Sequence, residues 1–124
     1  MKICITSRGE NLDSQVDPRF GRCAYFILID PDSLEFEAIE NSNAETMGGA
    51  GIQSGQLMSG KGVKAVLTGN VGPNAFQTLQ ASGIDIITGV SGPVKEAALK
   101  YKSGEFKPIT DPSVGSHHGM KKIT

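Results

Sequence analysis

A chain of 124 residues falls within the usual span of one domain, and a chain of that size buries roughly two-thirds of the surface its unfolded form exposes. Lys and Arg number 12 against 13 Asp and Glu, and the net charge of -1 excludes a general attraction to nucleic acid or anionic lipid. Any anion site must therefore be local, and 2 cysteines without CxxC spacing make no disulfide framework, which fits a reducing cytosol.

The opening MKICITSRGENLD is interrupted by Arg8 and Glu10 before a signal-peptide core or a membrane span forms, so the protein is expected to be soluble and cytoplasmic. Ile3 to Thr6 is short, apolar and β-branched and predicts a first strand. SRGENLDSQVDPRFGR follows, rich in Gly, Asp, Asn and Pro. It is too long for a mere connection, which points to a functional loop. Ala24 to Asp30 and Leu34 to Glu40 flank Pro31-Asp32-Ser33 and predict a hairpin. Its first arm is apolar throughout, as a strand covered on both faces would be. Glu35, Glu37 and Glu40 mark the second as a more exposed edge.

After the glycine loop NSNAETMGGAG, the spacing of apolar groups predicts a helix over Ile52 to Ser59, ended by Gly60-Lys61-Gly62. Two further units repeat each other, from Val66 to Gly83 and from Ile86 to Gly104, offset by about twenty residues. Each has apolar residues, Thr-Gly, two variable residues, Gly-Pro, an amphipathic helix and Ser-Gly. These are β-loop-α units, so the first strand and the strands at Lys64 to Thr68 and Asp85 to Thr88 are expected to be parallel. Pro73 and Pro93 suit the first turn of the helices that follow. The tail from 111 to 124 has no periodicity, so the domain is expected over 1 to 110 with a flexible His-containing extension.

Three Gly-rich turns converge on one sheet edge: Gly48, Gly49 and Gly51; Gly69 and Gly72; Gly89 and Gly92. Glycine admits close approach of backbone N–H groups to an anion, and the helix behind each turn adds partial positive charge. A single βα loop carries Gly and Pro for turn geometry alone. Nucleotide fingerprints fail. Gly55 to Lys61 matches GxxxxGK, but Gly62 stands where a P-loop needs Ser or Thr, and the segment precedes a strand instead of following one. Gly49-Ala50-Gly51 lacks the third Rossmann glycine, its place being taken by Ser54.

Asp17-Pro18-Arg19-Phe20-Gly21-Arg22-Cys23 puts two guanidinium groups and a thiol within five residues. Arg binds anions bidentately, and a thiolate beside cations has a lowered pKa and suits soft metals or iron-sulfur clusters. Cys23 reads equally as a small buried hydrophobe at a strand start, and Cys4, mid-strand between Ile3 and Ile5, reads as core. His117 and His118, with Met120, supply imidazoles and a thioether for a metal or cluster. Two Cys and two His do not close a Cys4 zinc site, so a cluster would be bound openly or across a dimer. No GxSxG, HExxH or recognisable Cys-His spacing is present, which makes a binding protein the expectation over an enzyme.

Taken together, MKICIT, DPRFGRC running into AYFILID, ENSNAETMGGAG and the repeated TGxxGP turns resemble the dinitrogenase iron-molybdenum cofactor biosynthesis family, the small NifX/NifB-type cofactor carriers. The resemblance runs from Met1 to about Met120. It implies a three-layer α/β/α ribonuclease-H-like fold with a mixed five-stranded sheet of order 3-2-1-4-5, strand 2 antiparallel. It also implies a carrier of an iron-sulfur or iron-molybdenum cofactor precursor, working as a monomer or weak homodimer with a cluster-assembly or acceptor protein. By the same resemblance Arg19, Gly21, Arg22 and Cys23 lie in the family's binding segment, Met47, Gly48, Gly49 and Gly51 in its glycine loop, and His117 and His118 in its tail. Two alternatives stay open: a phosphate- or nucleotide-binding protein using the glycine loops, and a metal-independent interaction module.

Overall fold

The structure, a computed structural model, describes residues 1–42 and 50–109. The chain order is β1 (Ile3–Ser7), β2 (Tyr25–Ile29), β3 (Phe36–Glu40), α1 (Ala50–Gly60), β4 (Ala65–Leu67), α2 (Pro73–Ala81), β5 (Asp85–Ile87) and α3 (Val94–Lys102). The strands form one sheet of order β3-β2-β1-β4-β5. β2 is antiparallel to both β1 and β3, whereas β1, β4 and β5 run parallel. The fold is α/β, with the strand order and antiparallel second strand that the family resemblance implies.

Burial explains why these segments became strands. All five residues of β1 are buried, as befits a central strand covered on both faces, and β2 is buried from Phe26 onward. β3 alternates acidic with apolar residues and is mostly exposed, as an edge is. Period-two alternation then splits the core. Cys4, Phe26, Leu28, Val66 and Ile86 share one face with Met58 of α1 and Leu79 of α2. Ile3, Ile5, Ile27, Ile29 and Leu67 share the other with Val94, Ala97 and Ala98 of α3. The layers are therefore α1 and α2, the sheet, and α3. Each large side chain in these clusters contributes roughly 1.5–3 kcal/mol of transfer free energy.

Two local details differ from the sequence expectation. Pro93 is the residue capping α3, with φ -67° and ψ 143°, whereas Pro73 occupies the first turn of α2 as predicted. The hairpin connection runs over Asp30 to Glu35, longer than Pro31-Asp32-Ser33, because Asp30 Oδ1 accepts the amides of Asp32 and Ser33 at 2.8 and 3.3 Å.

The loop between β1 and β2 does not swing free. Asp17 N–H donates to Thr6 O (2.9 Å) and Thr6 Oγ1 donates to Asp17 O (2.6 Å). Thr6 Oγ1 also shares a hydrogen bond of 2.8 Å with Thr68 Oγ1, at the end of the neighbouring β4. Pro18 then lies against Gly69, where an added Cβ would stand 2.6 Å from Pro18 Cα. Asn70 N–H donates to Pro18 O at 2.7 Å and Phe20 N–H to Asn70 O at 3.2 Å.

Gly69→Ala is therefore expected to force these two backbones apart and destabilise the fold by about 1–3 kcal/mol, read as a lowered urea midpoint. Gly60→Ala, where a Cβ meets nothing within 4 Å, is expected to leave the midpoint unchanged or raised. Equal midpoints for the two variants would contradict the docking.

Candidate functional site

In an open α/β sheet, ligands sit beyond the carboxyl ends of the parallel strands. Here the β1–β2 loop occupies much of that crevice. Val16 N–H donates to Gly92 O, Val94 N–H to Ser14 O and Lys95 N–H to Leu12 O, each at 2.9 Å. The first amides of α3, expected from sequence to face an anion, are thus used by loop carbonyls. Gly89 N–H is likewise given to Gly69 O at 2.9 Å. Of the predicted glycines, Gly51 brings α1 close to Ala75 of α2, Gly69 admits Pro18, and Gly72 caps α2 with no side-chain cap bond beside it. Gly89 and Gly92 form the β5–α3 turn. Met47, Gly48, Gly49, His117 and His118 lie outside the described residues.

What the loop leaves open is a groove of about 540 Å3 at the β2–β3 end of the same edge, lined by Arg19, Arg22, Tyr25, Glu40, Asn41 and Ser42. Tyr25 pairs with Ser7, the last residue of β1, and with Glu40, the last of β3, which fixes the groove at the carboxyl edge. Of the predicted Arg-Cys segment, Arg19 and Arg22 line this groove, while Gly21 and the buried Cys23 lie behind it, bound through their carbonyls to Asn41.

Their geometry is set by two residues that the sequence did not single out as site members. Asn41, buried at the end of β3, donates its side-chain amide to Gly21 O at 3.0 Å and to Cys23 O at 2.9 Å. It pins the turn in which Gly21 adopts φ 92°, a left-handed conformation that favours glycine. Asp17, also buried, accepts the Arg19 backbone amide at 3.1 Å and Arg19 Nε at 3.3 Å. Asp17 stands within the DPRFGRC segment, so its adjacency to Arg19 was a usable signal. Asn41 opens the NSNAETMGGAG loop, but nothing in that loop reports its partners, which are 18 and 20 positions away in sequence.

The Arg19 side chain remains 63% exposed while paired. Its pKa is raised further by the Asp17 hydrogen bond and charge, so it is cationic at every working pH. The local charge is nearly balanced: two guanidinium groups and the Glu40 carboxylate line the groove, with Asp17 behind them.

Of the two readings that the sequence left open for Cys23, the structure favours the small buried hydrophobe over the activated thiolate. Its thiol is fully buried, and its pKa is pushed up to about 12, first by burial and then by the Asp17 charge. The amides of Cys23, Gly21 and Ser7 oppose this without reversing it. Proximity in sequence to two Arg did not depress the pKa, because the largely exposed Arg19 is turned to Asp17 and the sulfur faces inward. Cys4 is buried in the same cluster, its pKa also raised by burial and by Cys23. Among the described residues no group of three or more His, Cys, Asp or Glu is placed to hold a metal ion. No helix among them is long and apolar enough to cross a membrane. Ser54 Oγ in α1 is buried without a hydrogen-bond partner among the described residues, a cost of about 1–3 kcal/mol.

The fold and the groove define a small α/β domain with an arginine-lined recess at the carboxyl edge of its sheet and no metal cage among the described residues. The family described as dinitrogenase iron-molybdenum cofactor matches residues 1–104, and the chain belongs to it. It is 36% identical to the orange protein of Desulfovibrio gigas, solved in its apo form, with a TM-score of 0.87 over 91% of this chain and 96% of that one. It is 35% identical to a Thermotoga protein described as a candidate NifB, with a TM-score of 0.78 over 91% and 97% of the two chains. An uncharacterised protein of Methanocaldococcus jannaschii is 29% identical over 98 residues, 77% of this chain and 83% of that one.

A raised thiol pKa stabilises the native state while the thiol is protonated, since native Cys23 holds its proton where the unfolded chain has lost it. That stabilisation is complete below the unfolded cysteine pKa and is lost as pH rises toward about 12. Urea midpoints are expected to fall between about pH 9 and the folded value, and to fall less steeply in Cys23→Ala. Asp17→Asn removes a charge that disfavours the thiolate, so the 13Cβ shift of Cys23 is expected to begin titrating at lower pH than in the wild type. An unchanged titration would contradict the electrostatic account.

Proposed function

We propose that this protein is a carrier for an iron-sulfur or iron-molybdenum cofactor precursor, taken up as an anion in the Arg19–Arg22 groove and passed to an acceptor protein in the cytoplasm. The family supports a role in cofactor assembly or carrying, and the single observation that supports this groove as the site is the pair of Arg side chains lining one recess. Metal-sulfur cargoes carry negative charge on polarisable sulfur, and a guanidinium group is less strongly hydrated than an ammonium group, so it meets such a surface at lower desolvation cost. The recess volume of about 540 Å3 lies within the usual range for small-ligand sites.

The chemistry of Cys23 sets how the cargo is held. A thiol whose pKa is about 12 and whose sulfur is buried is not poised to coordinate metal at neutral pH. Cargo in this groove is held by charge-assisted hydrogen bonds from Arg19 and Arg22, with Cys23 and Asn41 shaping the turn beneath them. Near-balance of charge around the recess, with Glu40 beside the two Arg, favours a large anion of low charge density over a compact phosphate. Binding of that kind is reversible, as delivery requires.

Anaerobic incubation with iron and sulfide, followed by desalting and metal analysis, tests the proposal. The wild type is expected to retain iron with a charge-transfer absorption. The double variant Arg19→Gln/Arg22→Gln is expected to retain it at least about tenfold more weakly, and retention by the wild type is expected to fall with added salt. No retained iron in the wild type, or equal retention in the double variant, would overturn this reading.

A further inference from the structure

The two edges of this sheet are treated differently. Open strand edges are templates for pairing, and proteins blunt them with charged side chains, lysine above all, a proline, a bulge or a covering segment. At β5 the chain after α3 laps onto the strand, with Ile109 N–H donating to Ile86 O at 2.7 Å and Pro108 beside it. At β3 no described residue pairs with the outer side, and Phe36–Glu40 contains neither Pro nor Lys.

The open backbone groups follow from the register. Asp30 N–H donates to Glu35 O and Asn41 N–H to Ala24 O, both at 2.9 Å. In an antiparallel ladder, hydrogen-bonded pairs recur at every second residue. Positions 35, 37, 39 and 41 therefore direct their amides and carbonyls at β2. Phe36, Ala38 and Glu40 direct theirs outward, and none of those groups has a backbone partner among the described residues.

Charge selects what can pair there. Glu35, Glu37 and Glu40 are all exposed along the strand, and Asp30 stands at its lower end. Phe36 is 42% exposed, beside a recess of about 370 Å3 lined by Lys2, Leu28, Asp30, Glu35, Phe36 and Glu37. A second copy of this chain would bring the same carboxylates to the same edge, and like charges on paired strands are destabilising. A segment bearing Lys or Arg would meet complementary charge, and its apolar side chains would cover Phe36.

We infer that β3 is a docking edge for an extended basic segment of another protein, which adds as a sixth strand through the outward groups of Phe36, Ala38 and Glu40. The inference goes beyond the anion groove and does not depend on it. Because Glu40 also lines that groove, a docked segment ends beside the groove.

The full chain, titrated at low salt with an end-blocked nine-residue peptide of alternating Val and Lys, tests the docking edge. Amide exchange is followed by NMR and affinity by fluorescence anisotropy. The peptide is expected to slow exchange at Phe36, Ala38 and Glu40, and a Val/Glu counterpart is expected to leave it unchanged. Ala38→Pro removes an amide that points away from β2, a position where an edge strand tolerates Pro, and is expected to weaken binding about tenfold. Glu35→Gln/Glu37→Gln is expected to weaken it similarly, and it decides the matter should the Pro variant not fold. Absence of protection at the three amides, or unchanged affinity in the variants, overturns the inference. So does protection in the protein alone that fades on dilution, since the occupant would then be a second copy.

Discussion

A side chain at position 69 would collide with the backbone of Pro18, and much of the molecule's functional end follows from that near-contact. It holds the β1–β2 loop down on the carboxyl edge, where the Thr6 hydroxyl joins the loop to β4 through Asp17 O and Thr68. Once docked, the loop consumes the first amides of α3 and the Gly92 carbonyl. The crevice where open α/β sheets usually bind ligands is thereby partly filled, and the remaining opening is displaced toward β2 and β3. The same loop then delivers Arg19 and Arg22 to that opening. One close backbone approach both fills one crevice and shapes the groove beside it.

Behind the groove, three groups constrain each other. Asp17 is buried and holds Arg19, while burial first and the Asp17 charge second keep the Cys23 thiol protonated. Arg19 nevertheless stays largely in solvent, so it can turn toward an incoming anion at the cost of a partly screened ion pair. The arrangement suits a site that captures and releases. A strongly cationic pocket, or one with an ionised cysteine, would hold metal-sulfur cargo more tightly.

Much of the architecture was legible in the sequence because its signals are local. The apolar run Tyr25–Ile29 against the acidic alternation of Phe36–Glu40 distinguished an inner strand from an edge. The repeated TGxxGP turns announced two parallel βα units, and the family resemblance supplied the strand order. The site was legible only as a segment. That Arg19, Gly21, Arg22 and Cys23 belong together could be read from their adjacency. Which way each side chain points depends on Asn41, Thr68 and Gly69, all distant in sequence, and no pattern within DPRFGRC reports them. For that reason the sequence left Cys23 open between an activated thiolate and a buried thiol. Charges nearby in sequence were counted, while burial, the dominant influence, comes from packing across the sheet. The use of the α3 amides by the loop was hidden for a related reason. Pro18 and the loop carbonyls meet the glycine turns from a segment some fifty to eighty residues earlier.

The most direct measurement is an amide chemical-shift map recorded as the chain is loaded anaerobically with iron and sulfide. The account predicts perturbations centred on Arg19 to Cys23, Tyr25 and Glu40 to Ser42. Perturbations centred instead on Gly72 to Ala75 or Gly89 to Lys95, with the arginine segment unmoved, would contradict it.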